Sequence, residues 1–464
     1  MSWLLWDIIA QSNLFAYMEK LSENVQLQKS GKVIIAFITI IIMDVAIISL
    51  GIQSDIATLL ILGLTCIQFL VDWMPVVYVA IMTPLQLYLC GCIDLKTTFS
   101  GFSNENVILF IGMFIIGGAI FKTGAAEVIG KQVIAWTHGD INKIIISILV
   151  LTALFSAFMS NTGCVAVITP ICIGIADAAG IERKRILLPV AMISSLGGMM
   201  TLVGTPPNLT INSIYNDSGC GQFGFFEFSY IGLPLTIVGG LYLYFFYAKK
   251  EGIDGFSDYC IDAPKLDKKQ LFSIAILLIV VSLMASGRME LSIVSSIAAL
   301  FCIACKLISS KDALESIGWR TVLLFTGMLP MSTALSQTGA GKLIADFSLK
   351  IMGGNPSQVI SITVLFVITV LLTQAMSNTA ACALLAPIAL QIASSLNANP
   401  AGVLMSVGIA SSCAFMTPMA TPPNTLVYEE SGAKFVDYIT LGSPLVLLGY
   451  LVCIIVIPIV WPFY

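Results

Sequence analysis

The tripeptide Ser-Asn-Thr occurs twice in apolar surroundings, as Ser160-Asn161-Thr162 and as Ser377-Asn378-Thr379. A second repeated word follows each copy in the same order, Thr205-Pro206-Pro207-Asn208 and Thr421-Pro422-Pro423-Asn424. Hydroxyls, carboxamides and prolines inside apolar runs are the means of binding ions without side-chain charge. In each Thr-Pro-Pro-Asn the second proline removes a backbone donor and the first biases the preceding Thr away from helix, so the chain should unwind there. Helix N-termini freed at such breaks carry partial positive charge and unpaired N–H groups, which suit an anion. Carbonyl ends of half-helices, with Ser, Thr and Asn oxygens, suit a small hard cation. Ser156 precedes Ser160 by one helical repeat, and Thr373 precedes Ser377 likewise, which puts each pair on one helix face pointing at the tripeptide. Each tripeptide therefore offers two hydroxyls and an Asn to one cation, with backbone carbonyls from Gly204 in the first half and Ala420 in the second.

The surroundings of these words carry no charge. From Ile351 to Tyr428, and from Ile144 to Ala176, there is no Asp, Glu, Lys, Arg or His. A dianion bound there needs compensation, because burying it alone is very costly. Sodium ions meet that need, whereas proton coupling is disfavoured without a titratable carboxylate in these stretches. Intramembrane catalysis would need an acid or base pair, and the single histidine, His138, sits in AWTHGD beside Asp140, where a surface turn is expected. Cys302 and Cys305 have C-x-x-C spacing in LFCIACKL but no second pair or nearby His, so no metal site is read there. Taken singly, each word is also ordinary packing chemistry for membrane helices, and the flanking hydroxyls of Ser194, Ser195, Thr201, Ser411, Ser412 and Thr417 remain open between packing and function. Recurrence in matched order argues for a site.

The elements that hold these residues are membrane spans. Of 464 residues, 58% are hydrophobic and 10% charged, far from the quarter or so charged in a soluble domain. The basic residues lie in short clusters between apolar runs rather than along one stripe, which excludes a nucleic-acid surface. Since a crossing takes roughly 20 apolar residues, spans are expected at 33–51, 55–71, 75–93, 105–122, 187–214, 229–248, 271–287, 290–306, 320–337, 400–428 and 438–462, eleven in all. Two longer apolar stretches, 143–179 and 357–396, hold Ser-Asn-Thr at their middle and read as re-entrant hairpins, whose tips are tolerable only inside protein or at a wet cavity. Residues 1–32, with Glu19, Lys20 and Glu23 and no small-residue cleavage site, are expected to be an interfacial amphipathic segment. Lys143, Arg183-Lys184-Arg185, Lys249-Lys250, Lys265, Lys268, Lys269, Lys306, Lys311 and Arg320 should face the cytoplasm. Eleven crossings from a cytoplasmic N-terminus satisfy all of them, open the first hairpin inward and the second outward, and leave the C-terminus on the periplasmic or extracellular side of the cytoplasmic (inner) membrane. Asp44, within the first span, is expected to have a structural partner.

Internal similarity supports this scheme. LFIGMFIIGGAIFKTGA at 109–125 resembles LFTGMLPMSTALSQTGA at 324–340, so Gly112 answers to Gly327, and Thr123-Gly124 to Thr338-Gly339. The offsets are 215 residues there, 217 between Ser160 and Ser377, and 216 between Thr205 and Thr421. An odd number of crossings separates equivalent positions, so the fold class expected is an all-α polytopic membrane protein of two inverted repeats, a plan used by secondary transporters rather than enzymes.

The doubled Ser-Asn-Thr with its doubled Thr-Pro-Pro-Asn resembles the divalent anion:sodium symporter family, carriers of dicarboxylates, citrate or sulfate, over about residues 30–464. The resemblance implies a homodimer with scaffold and transport domains and an elevator-type movement. On that plan residues 33–104, 229–319 and 437–464 are scaffold, and 105–228 and 320–436 are the two transport halves. It further implies one Na+ site at Ser156, Ser160, Asn161 and Gly204 and another at Thr373, Ser377, Asn378 and Ala420. The substrate would lie against Asn161, Thr162, Thr205, Asn378, Thr379, Thr421 and Pro422. Sodium-coupled uptake of a C4-dicarboxylate is the expected function. The family also contains sodium-independent exchangers, and the neighbours Gly163-Cys164 and Ala380-Ala381 do not separate succinate, malate, tartrate, citrate and sulfate.

Overall fold

A computed structural model describes residues 14–71, 73–137, 140–249, 265–354 and 356–463. The described residues form helices and no strands: α1 (Leu14–Ser49), α2 (Ser54–Val71), α3 (Val76–Leu89), α4 (Leu95–Thr98), α5 (Glu105–Lys122), α6 (Ala125–Ala135), α7 (Ile141–Ser156), α8 (Asn161–Ala178), α9 (Lys184–Gly198), α10 (Pro206–Asp217) and α11 (Ser229–Leu243). The second half continues with α12 (Lys268–Ala285), α13 (Leu291–Ala304), α14 (Ser310–Ser316), α15 (Trp319–Gln337), α16 (Ala340–Ile351), α17 (Gln358–Ala375), α18 (Asn378–Ser395), α19 (Pro400–Ser412), α20 (Pro422–Ser431) and α21 (Phe435–Val460). Nine helices among the described residues are long and apolar enough to cross a bilayer, and four shorter apolar ones accompany them, so the chain is a multi-pass membrane protein.

Each expected span falls on a helix or a pair of helices. The stretches 187–214 and 400–428 are each two helices, α9 with α10 and α19 with α20, separated by irregular backbone. The stretches 143–179 and 357–396 are the helix pairs α7 with α8 and α17 with α18, joined at Ser-Asn-Thr. Four helices were not expected, the short α4 and α14 and the longer α6 and α16. α6 and α16 follow Gly124 and Gly339, whose φ of 74° and 80° is the left-handed conformation that ends α5 and α15. Both are too short to span, and α6 carries a Glu127 to Lys131 ion pair of 2.6 Å. At the N-terminus, helix begins within the expected interfacial segment at Leu14 and runs without a break into the first span, so residues 14–32 belong to α1 rather than to a separate helix; residues 1–13, like His138, lie outside the described residues.

Packing exchanges equal contacts between the halves. α5 packs on α13, and its repeat mate α15 packs on α3. Glycine makes both approaches possible: a Cβ on Gly112 would lie 2.7 Å from Ser295 Cβ, and one on Gly327 would lie 2.4 Å from the carbonyl of Ala80, residues again 215 apart. α9 packs on α20 and α19 on α10, so each broken helix sets its first piece against the second piece of the other. α9 and α19 are buried along nearly their whole length and form the centre of the core. The packing also joins helices across the division drawn from the sequence. α5 and α15 pack with α13 and α3, placed in the scaffold, whereas α11 and α21 pack on each other and on α9 and α19, placed in the transport halves.

Asp44 is buried in α1 and accepts a hydrogen bond from Gln86 Nε2 at 3.1 Å, the structural partner expected for it.

Candidate functional site

All four repeated words are helix starts. Ser160 and Ser377 are the N-caps of α8 and α18, their hydroxyls accepting from the backbone N–H of Gly163 at 3.5 Å and of Ala380 at 3.3 Å. Asn161-Thr162 and Asn378-Thr379 are then the first turn, whose N–H groups have no partner within their own helix. Thr205 and Thr421 are the N-caps of α10 and α20, extended at φ −141° and −134°, as expected of a residue before proline. The two prolines occupy the first two helical positions, which costs nothing in helix bonding but deletes two of the free donors. The Ser-Asn-Thr ends therefore supply N–H groups, and the Thr-Pro-Pro-Asn ends supply dipole, hydroxyl and the carbonyls of the break before them.

These four starts line one cavity of about 1190 Å³. Its wall includes Ser160, Asn161, Thr162, Gly204 and Thr205 from the first half, and Ser377, Asn378, Thr379, Ala420, Thr421 and Pro422 from the second. Ser156 and Thr373 do not reach the wall. Both are fully buried behind it and fix the tip carboxamides: Ser156 Oγ donates to Asn161 Oδ1 at 2.5 Å, and Thr373 Oγ1 lies 3.0 Å from Asn378 Oδ1 and 2.7 Å from the carbonyl of Ser411. The candidate cation ligands of the first half also converge. A Cβ on Gly198 would stand 2.7 Å from Asn161 Oδ1 and 3.0 Å from the Gly204 carbonyl, so only glycine leaves room for both oxygens.

The helix breaks are held by asparagine. Asn208 Nδ2 donates to the carbonyl of Thr201 at 2.7 Å, and Asn424 Nδ2 lies 3.0 Å from the carbonyls of both Ala414 and Thr417. A second pair of bonds ties each break to its hairpin, from Thr201 Oγ1 to the Ala157 carbonyl and from Thr417 Oγ1 to the Gln374 carbonyl. Thr201 and Thr417, left open by sequence, thus serve structure, as does the fully buried Ser194, which bonds the Ala191 carbonyl within its own helix, while Ser195 lines the cavity.

Two features were not legible beforehand. Gln374 lines the cavity and braces the second break, donating to the Cys413 carbonyl at 3.1 Å and accepting from Met416 N–H at 3.0 Å; the first half has Ala157 in its place. The cavity is also not free of charge. Glu315, Arg320 and Glu429 lie in its wall, brought there by the end of α14, the start of α15 and α20. Arg320 marks topology when read in sequence, and only tertiary packing shows that it faces the same space as the hairpin tips.

A multi-pass helical chain whose halves exchange contacts around one polar cavity, entered by four helix N-termini, has the build of a secondary transporter and not of an enzyme. The chain belongs to the citrate transporter family, whose model matches residues 33–397 and again 342–463. It is a carboxylate carrier of the divalent anion:sodium symporter type. Similar proteins include an uncharacterized transporter of Haemophilus influenzae, 29% identical over 86% of this chain and 89% of that one. The sodium-dependent dicarboxylate transporter SdcS of Staphylococcus aureus is 22% identical over 85% of this chain and 84% of its own. Among solved structures, the YdaH transporter of Alcanivorax borkumensis superposes with a TM-score of 0.60 at 14% identity, covering 80% of this chain and 91% of that one.

Proposed function

We propose that this carrier couples Na+ to the uptake of C4-dicarboxylates of the succinate, malate and fumarate type across the inner membrane. The observation that carries the proposal is the pair of tip carboxamides, Asn161 and Asn378, each braced by a buried hydroxyl from its own hairpin and each facing the common cavity. One Na+ is assigned to Ser156, Ser160, Asn161 and Gly204, and a second to Thr373, Ser377, Asn378 and Ala420. The donor set is neutral and oxygen-only, which suits a hard monovalent cation. Sodium binding would draw these oxygens together, order the tips and present the N–H groups of Asn161, Thr162, Asn378 and Thr379 to the substrate, with Thr205, Thr421 and Pro422 completing its surroundings. Two sodium charges would then offset the dianion, and the neutralised load would cross.

The moving unit is assigned to the hairpins with α9–α11 and α19–α21, sliding as an elevator against α2–α5 and α12–α15, and two copies are assigned to a homodimer through the latter. The start of α15 lies on the side given to the cytoplasm by its basic residues, so the cavity is read as open inward, with the N-terminus cytoplasmic and the C-terminus outside. The Staphylococcus aureus relative is named a sodium-dependent dicarboxylate transporter, which supports coupling and substrate class alike.

A thermal-shift series on purified protein tests binding, since a ligand of the folded state raises its apparent melting temperature. Succinate should stabilise in sodium buffer and not in choline buffer; a shift given by sulfate alone would replace the substrate assignment. Arg320 in the cavity wall favours a second reading, exchange of anions without sodium, in which the guanidinium supplies the compensating charge. Uptake that requires internal anion and ignores sodium would select that reading.

A further inference from the structure

On the side opposite the large cavity, α10 is clasped to the start of α5. Ser213 Oγ donates to Asn104 Oδ1 at 2.9 Å, Asn212 Nδ2 donates to Asn106 Oδ1 at 2.9 Å, and Asn104 Nδ2 lies 3.3 Å from Asp217 Oδ2. Only a small cavity of about 390 Å³ remains there, between Glu105, Asp217 and their neighbours. The repeat carries the clasp residues to counterparts, Asp217 to the apolar Ala433. With the offset of 215 that relates Gly112 to Gly327, Asn104, Glu105 and Asn106 become Trp319, Arg320 and Thr321. With the offset of 216 that relates Thr205 to Thr421, Asn212 and Ser213 become Tyr428 and Glu429.

These counterparts are apart. Arg320, Thr321 and Glu429 line the open cavity, Trp319 Nε1 donates to the Leu314 carbonyl of the preceding helix, and among the described residues neither Arg320 nor Glu429 is in an ion pair. One end of the molecule is therefore clasped and the equivalent end unclasped, with the counterpart positions occupied by opposite charges.

We propose that Arg320 and Glu429 are the two halves of a second clasp, an ion pair that forms when the large cavity closes and that replaces the Asn104 and Ser213 clasp when the opposite side opens. The inference rests on the alternating-access reading above. Two halves that exchange contacts can also exchange conformations, so the contact made now by α10 with the start of α5 is the template for the one made later by α20 with the start of α15. Both charges stand exposed in the open state and lose water only on closure, where a guanidinium and a carboxylate can pair through two parallel hydrogen bonds. Being charged where the other clasp is neutral, this one should weaken with ionic strength.

Charge reversal tests the pair in proteoliposomes. Arg320→Glu and Glu429→Arg should each slow uptake about fivefold, and the double reversal should return to within about twofold of the parent, the scale of a solvent-accessible pair. A double variant as slow as the slower single one, the result if Arg320 serves the anion directly, overturns the proposal, as do single variants that transport at the parent rate. The bridging in a second arm needs neither substrate nor sodium. In a background with Cys66, Cys90, Cys220, Cys260 and Cys305 replaced by Ser, Arg320→Cys with Glu429→Cys should be bridged by a short bis-methanethiosulfonate, which forms two disulfides and releases two methanesulfinates, seen as the mass of a single bridged adduct, and transport should stop until reductant is added. Failure to bridge the two thiols overturns the clasp. If the parent transports no anion at all, the carrier reading fails instead, and the bridging result still decides the clasp.

Discussion

Asn161 and Asn378 are equivalent residues held in equivalent ways, and the account stands on their carboxamides. Replacing either with Ala removes the oxygen assigned to sodium and the carboxamide beside the substrate, so Asn161→Ala and Asn378→Ala should each abolish transport at unchanged membrane expression. Normal uptake by both variants would misplace the site. Ser156 and Thr373 act one step back, from buried positions behind the wall. Ser156→Ala and Thr373→Ala should raise the sodium concentration for half-maximal uptake about tenfold, the effect of losing roughly 1 to 1.5 kcal/mol of hydrogen bonding and ligation, while leaving the rate at saturating sodium near that of the parent. Asp217 offers a test of the clasped end. Its side chain is partly exposed, but desolvation of the carboxyl against the clasp, and then the charge of Glu105, push it up to about 6. A folded-state value above the ordinary carboxylate range means that the folded chain holds this proton more tightly, so stability is highest at low pH and falls as pH rises from about 4 to about 6. Asp217→Asn should remove that part of the pH dependence of the melting temperature; an unchanged profile would place the titration elsewhere. At this scale the sequence is most readable where a rare word recurs. Ser-Asn-Thr and Thr-Pro-Pro-Asn announce themselves twice, and every residue read from them lies on the cavity or directly behind it. Gln374 has Ala157 as its counterpart, and Arg320 lies far along the chain from either hairpin tip, so neither could be joined to the site without tertiary packing.

At the scale of elements, the breaks in the long apolar stretches follow from local chemistry. Proline at the first two helical positions, serine or threonine at the cap and extended backbone before proline suffice to predict where α8, α10, α18 and α20 begin. Close approach of helices follows from glycine, but its partner is not visible in sequence. A Cβ on Gly442 would stand 2.3 Å from the Phe415 carbonyl, and one on the equivalent Gly232 would stand 2.4 Å from the Met199 carbonyl, so α21 and α11 lie directly against the two breaks. Gly442→Ala and Gly232→Ala should each destabilise the protein by about 1 to 3 kcal/mol, as overpacking does, with a lowered melting temperature in detergent. Gly63→Ala in α2, where a Cβ meets nothing within 4 Å, should be neutral or slightly stabilising. Equal melting temperatures for all three would contradict the packing. The helices that escaped prediction, α4, α6, α14 and α16, are short, and a search for spans passes over them by length. Helix partners are not visible in sequence either, since α5 packs on the distant α13 and α11 packs back onto α9.

At the scale of the whole molecule, two halves with a common pattern of contacts surround one cavity, and they depart from symmetry in which end is clasped and in the brace that Gln374 gives the second break. The multi-pass character was legible from apolar length and composition. The conformational state was not, since both states have the same sequence and the same repeat. The charge in the cavity mouth bears on the central claim, because a wall with Arg320 in it could compensate an anion without a cation, whereas tips built only of hydroxyls, carboxamides and carbonyls call for sodium. Uptake of labelled succinate into proteoliposomes, with sodium and then with an equal concentration of choline outside, separates the two most directly. The account predicts uptake that requires external sodium and saturates with it, and equal uptake in choline would contradict it.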